Sequence, residues 1–88
     1  MIINEEFLEK IFQRYKDKNK INILNLQSMK INNISLNIRL ENIEYLCLKN
    51  NMLRDISFIG SFPSIWYLDI RDNYVIRVFK IRLKISYG

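Results

Sequence analysis

The chain has 88 residues, 49% hydrophobic and 26% charged, with two glycines and one proline, which excludes a disordered chain or a flexible linker and leaves one small domain. A domain of that length buries roughly 60 to 65% of its unfolded surface, a thin margin for stability. The net charge is +5, and the chain holds no histidine and one cysteine, Cys47, so His-based triads, the usual zinc sites, cysteine clusters and an internal disulfide are excluded.

At the N-terminus, "MIINEEFLEKIF" carries acidic residues where a secretory signal needs basic ones, and no run reaches the roughly 18 apolar residues of a membrane span. The expected compartment is therefore cytoplasmic, with the nucleus as the alternative. Phe7, Leu8, Ile11, Phe12 and Tyr15 fall on one face of a helix, so residues 1–20 are read as an N-terminal capping helix that starts at its N-cap, Asn4. Glu5 and Glu6 at its start and Lys16, Lys18 and Lys20 at its end favour the helix dipole. Such a helix either caps the open end of the segment after it or docks another protein.

Residues 21–78 contain an internal repeat. "INILNLQSMKINNIS" from Ile21, "IEYLCLKNNMLRDIS" from Ile43 and "IWYLDIRDNYVIRV" from Ile65 are spaced by 22 residues. Five columns are aliphatic in every copy: Ile21/Ile43/Ile65, Leu24/Leu46/Leu68, Leu26/Leu48/Ile70, Ile31/Leu53/Val75 and Ile34/Ile56/Val78. Ile, Leu and Val make up 28 of the 88 residues, so fifteen matches of fifteen is not a coincidence of composition. Leu46 and Leu48 alternate around Cys47, which predicts a short strand with both leucines pointing inward. Asn51 and Asn73 are placed to bond backbone groups of the loop after the strand, whereas Met29 fills that column in the first copy and lacks the groups to do so.

The pattern LxxLxLxxNxI over residues 21–78 resembles the leucine-rich repeat family, and the 22-residue spacing is similar to its short intracellular subclass of phosphatase-regulator-like repeats. The resemblance implies an α/β fold. It would be a short leucine-rich-repeat solenoid with a parallel concave sheet, an N-terminal capping helix (1–20), about three repeats (starting near 21, 43 and 65) and a basic strand-like C-terminal tail (79–88). Between the strands, "ISLNIRLEN" and "ISFIGSFPS" are expected to form short helical or 3₁₀ turns on the convex side. Leu36/Phe58 and Leu40/Phe62 match across them, Asn37 departs from Ile59, and Pro63 precedes the next strand.

Beyond Val78 the columns fail at Lys80 and Lys84, and "FKIRLKISY" alternates apolar with basic residues, a strand pattern. Arg77, Lys80, Arg82 and Lys84 stand in a stretch, 74–88, without acids, while residues 1–73 hold ten basic and nine acidic groups. These four cations either protect an edge strand from aggregation or contact an anion such as RNA, an acidic protein or a membrane surface. No RRM-type strand motif accompanies them.

Catalysis finds no support. With Gly60 and Gly88 as the only glycines there is no phosphate-binding loop, and Asp69 and Asp72 are read as solvated surface acids. No metal or cofactor is expected. The outward strand rows instead place Tyr45, Trp66 and Tyr67 beside Lys49 and Arg71, residue types enriched in binding hot spots, although the aromatics could equally serve to stiffen the sheet. Cys47, in their midst, is read as an ordinary small strand residue.

The expected function is a non-catalytic protein-protein interaction module, an adaptor or structural subunit of a larger assembly. Its partner would engage Tyr45, Lys49, Trp66, Tyr67 and Arg71. The alternative is a ribonucleoprotein subunit that contacts RNA through the basic tail. Relatives of the subclass that the resemblance brings in act as phosphatase regulators, as ciliary or centrosomal components of the cytoskeleton, and as a spliceosomal subunit.

Overall fold

The computed structural model describes residues 1–14, 20–75 and 84–86. Among these residues it is an α/β structure of one α-helix, a 3₁₀ helix and parallel strands in two sheets. In chain order the elements are β1 (Ile2–Ile3), α1 (Glu5–Phe12), β2 (Ile23–Asn25), β3 (Asn33–Ile34), β4 (Tyr45–Cys47), a 3₁₀ helix (Ser57–Ser61), β5 (Tyr67–Asp69) and β6 (Lys84–Ser86). Residues 15–19 at the end of the expected helix, and Arg77, Val78, Lys80 and Arg82, lie outside the described residues.

The main sheet runs β2-β4-β5-β6, parallel throughout. Ile23 lies opposite Tyr45 and Tyr45 opposite Tyr67, so the 22-residue period of the sequence is the register of the sheet. The same step governs the backbone hydrogen bonds that flank the strands. Leu26 N–H donates to Cys47 O and Leu48 N–H to Asp69 O, both at 2.8 Å, and Tyr45 and Tyr67 donate to Asn22 O and Glu44 O. Past the strands, Ser28, Asn50 and Asp72 all adopt left-handed backbone, with φ of 58°, 58° and 57°. Asn and Asp tolerate that region better than most residues. These three positions therefore form the turn after each strand and do not extend the outward rows of the sheet.

β6 breaks the period. Lys84 lies opposite Tyr67, 84 − 67 = 17 residues on, so residues Lys84–Ser86 join the sheet as a fourth strand off the 22-residue step.

The inward residues form one core. Columns 21/43/65, 24/46/68 and 26/48/70 are buried in all three copies, as are Ile31, Leu53, Ile34 and Ile56. Phe58 and Phe62 join this core, their rings edge to face at 6.2 Å. Leu8 and Phe12 of α1, together with Ile3, belong to the same cluster, which continues under the first copy.

Two local features differ from the sequence reading. Ahead of Asn4, β1 pairs in parallel with β3 as a separate two-stranded sheet, which the sequence reading did not anticipate. Asn32 N–H donates to Met1 O and Ser35 N–H to Ile3 O, so the backbone of Met1 and Ile3 is tied to the first copy, and Ile3 is buried. The helix starts only after Asn4, whose Oδ1 accepts from Phe7 N–H at 3.0 Å. Between the strands, the second copy forms the expected 3₁₀ helix, nucleated by Asp55, whose Oδ1 accepts from Ser57 N–H and Oγ. The first copy has no helix at the matching 35–39. There the Asn37 N–H donates to the Glu5 carboxylate at the start of α1. That bond, the largest cause, holds Glu5 below the usual carboxylate range.

Candidate functional site

The main sheet turns rows 23/45/67 and 25/47/69 away from the core, because side chains alternate along a strand. Rows 22/44/66 and 27/49/71 flank them before and after the strands. Parallel pairing brings Tyr45 against Tyr67, and their rings stack 4.6 Å apart with planes 5° from parallel. Trp66 packs on Tyr67 in a T-shaped pair, at 6.0 Å and 74°, and is 56% exposed. Ile23, at the other end of the Tyr row, is exposed as well. The three aromatics expected to act together are therefore contiguous. The Tyr–Tyr stack stiffens the sheet, while Trp66 stays open to solvent.

The next row is less exposed than its outward direction suggests. Asn25, at the sheet edge, is exposed, but Cys47 and Asp69 are buried, and so Asp69 is not the solvated surface acid that the sequence suggested. The physical reason lies two residues on, where longer side chains from the same face reach back. Arg71 Nε and Nη2 donate to Asp69 Oδ1 and Oδ2 at 3.0 and 2.8 Å, a bidentate pair, and Arg71 N–H donates to Oδ1 at 3.2 Å. Asn25 Oδ1 accepts from Gln27 N–H in the same geometry one end over. The Arg71 hydrogen bonds lower the Asp69 pKa against the opposing effect of burial, and they raise that of Arg71. Cys47 Sγ has only a long, 3.8 Å contact to Gln27 Oε1. Burial leaves its thiol a poor nucleophile by access alone.

Lys49 is half-buried in row 27/49/71, close enough for its charge to help depress Asp69. The Tyr45 pKa is raised, chiefly by burial of its phenol, then by Cys47, Tyr67 and Asp69. At the opposite rim Asn22 Nδ2 donates to Glu44 Oε2 at 3.2 Å.

All five residues predicted to bind a protein partner, Tyr45, Lys49, Trp66, Tyr67 and Arg71, thus sit on one side of the sheet. The Arg71 guanidinium is already engaged by Asp69 through Nε and Nη2. Of the four basic residues of the tail, Lys84 falls opposite Tyr67 in the register, whereas Arg77, Lys80 and Arg82 lie outside the described residues. The Asp69–Arg71 pair escaped the sequence reading. Its signal was an acid and a base two apart, which alternation puts on one face of a strand.

Elsewhere, a cavity of about 310 Å³ opens between α1 and residues 38–43, lined by Glu9, Phe12, Ile21, Leu40 and Ile43 with exposed Ile38 at its rim. Its size is at the low end for ligand pockets. Among the described residues, no group of three or more Cys, Asp or Glu side chains is placed to hold a metal ion. No family model, curated protein or solved structure matches the chain.

Proposed function

We propose that the chain is a short leucine-rich-repeat solenoid. In this reading it acts without catalysis, as an adaptor or structural subunit that binds a protein partner on the aromatic face of its parallel sheet, in the cytoplasm. The observation that carries the reading is the exposed Trp66 in a T-shaped pair with Tyr67 of the Tyr45–Tyr67 stack. A large exposed aromatic on a rigid, pre-ordered platform loses little conformational freedom on binding, which is the physical basis of a hot spot. α1 then serves as the cap that such a stack of copies requires at its open end, with Leu8 and Phe12 in the shared core.

The test begins with capture of the partner from native extract and its identification by mass spectrometry. Binding is then measured for Tyr67→Ala and Trp66→Ala beside a Lys10→Ala control on α1. Each aromatic truncation is expected to weaken binding by roughly thirtyfold or more, equivalent to about 2 kcal/mol. Folded aromatic variants that bind as tightly as the control would refute this assignment.

A second reading, a ribonucleoprotein subunit, has one observation in its favour. β6 pairs in the sheet that carries the aromatics, with Lys84 of the basic tail opposite Tyr67 in the register. Aromatic stacking beside cations is how single-stranded RNA is held without base-specific readout. RNA affinity that falls steeply with salt, and is lost when Arg77, Lys80, Arg82 and Lys84 are neutralised together, would favour this reading over the first.

A further inference from the structure

The outward rows 22/44/66, 23/45/67, 25/47/69 and 27/49/71 contain four charged residues, and two of them, Asp69 and Arg71, neutralise each other in a bidentate ion pair. The two that remain are at opposite rims of the same strand. Glu44 precedes β4, is exposed, and among the described residues its carboxylate accepts only from the neutral Asn22 amide. Lys49 follows β4 and, among the described residues, its ammonium makes no hydrogen bond or ion pair of its own, and the acid that its charge reaches, Asp69, is already paired with Arg71. Beyond this face, the exposed turn charges Lys30 and Asp72 are of opposite sign. Along β4 the aromatic platform therefore lies between Glu44, an anion without a cationic partner among the described residues, and Lys49, a cation whose nearby acid Asp69 is already held by Arg71, while β6 sets Lys84 opposite Tyr67 in the register on the far side.

The separation sets the size of what fits. Five residues of extended chain span about 16 Å at roughly 3.3 Å per residue. A helix covers that distance in about eleven residues, or three turns. A helix is also most stable with acids in its first turn and bases in its last, which complement its own dipole. The geometry points to a partner segment of that kind. It is a three-turn helix lying antiparallel to the strands, with its acidic first turn at Lys49, its basic last turn at Glu44 and an apolar flank on Trp66 and Tyr67. This inference rests on the protein-binding reading and gives it a direction and a ligand chemistry.

Two stapled peptides of about fifteen residues test it. Both are alanine-based helices with leucines along one flank. One carries Glu in the first turn and Lys in the last, and the other carries the reverse order, the staple keeping both helical. Binding to the full chain is followed at low ionic strength, where exposed charges are least screened. The first peptide should bind about tenfold or more tighter than the second. The double variant Glu44→Lys/Lys49→Glu, checked for folding by circular dichroism, should prefer the second peptide instead.

Equal affinities, an unchanged preference in the double variant, or no binding of either peptide at millimolar concentration would overturn the inference. Trp66→Ala separates the two levels of failure. If it abolishes peptide binding while the charge swap has no effect, the face binds a helix but does not set its direction. If it leaves peptide binding intact, the aromatic face is not the docking surface and the reading beneath the inference falls too.

Discussion

Asn51 satisfies two turns with one carboxamide. Its Oδ1 accepts from the Met29 and Ile31 amides, while its Nδ2 donates to Leu26 O and Leu48 O and, at a longer 3.3 Å, to Lys49 O. Asn73 repeats the arrangement one copy later, donating to Leu48 O, Ile70 O and Arg71 O and accepting from Leu53 N–H. Each Asn thus holds its own turn and the one before it, and Asn51 supplies the first turn with bonds that Met29 cannot make. Asn51 is buried and Asn73 half-buried, so solvent can replace more of the second set. Asn51→Ala should cost about 3 kcal/mol or more through stranded backbone groups, and Asn73→Ala noticeably less, both read from urea unfolding. Asp69 yields a pH prediction. Its folded pKa lies below its unfolded value, so the Arg71 pair contributes stability above the unfolded pKa and loses it as pH falls through the folded one. The difference in urea midpoint between wild type and Asp69→Asn should be largest near neutrality. It should shrink steadily below the ordinary Asp pKa of about 3.9.

At the level of elements, α1 has eight residues, too few to be stable alone, and it persists because Leu8 and Phe12 are buried. Its start depends on the Asn4 cap, so Asn4→Ala should lower stability by about 1 kcal/mol, measurable as a shift in the unfolding midpoint. That cap was legible in the sequence, as were the three short strands, their register and the 3₁₀ helix, because each is encoded in side chains that recur or alternate locally. β1 was not. Two residues are too short for any period to show, and its partner β3 is some thirty positions away. The parallel entry of β6 was likewise hidden, since alternation announces a strand but not its neighbour. At the candidate site the aromatic row came directly from the 22-residue step. The burial of Asp69 did not, because it depends on Arg71 folding back over a row that alternation alone would leave open.

For the molecule as a whole, Leu46 is the clearest measure of cooperativity. It is 0% exposed, between Leu24 and Leu68 in register, in a core that runs without a break from Leu8 of α1 to Ile70. Leu46→Ala should cost about 2 to 5 kcal/mol. Against roughly 4 to 13 kcal/mol for a chain of this size, that is enough to unfold much of the population, and circular dichroism with urea titration would show it. The off-period register of β6 has a consequence for anyone who would lengthen this protein. The lane beside β5 that a further 22-residue copy would occupy is already filled, 17 residues on and in a different phase. New copies appended after residue 75 would have to evict that strand. A duplicate of residues 43–64 spliced in ahead of residue 65 would meet like on both sides, widening the sheet by about 4.8 Å and leaving each terminus its existing neighbours.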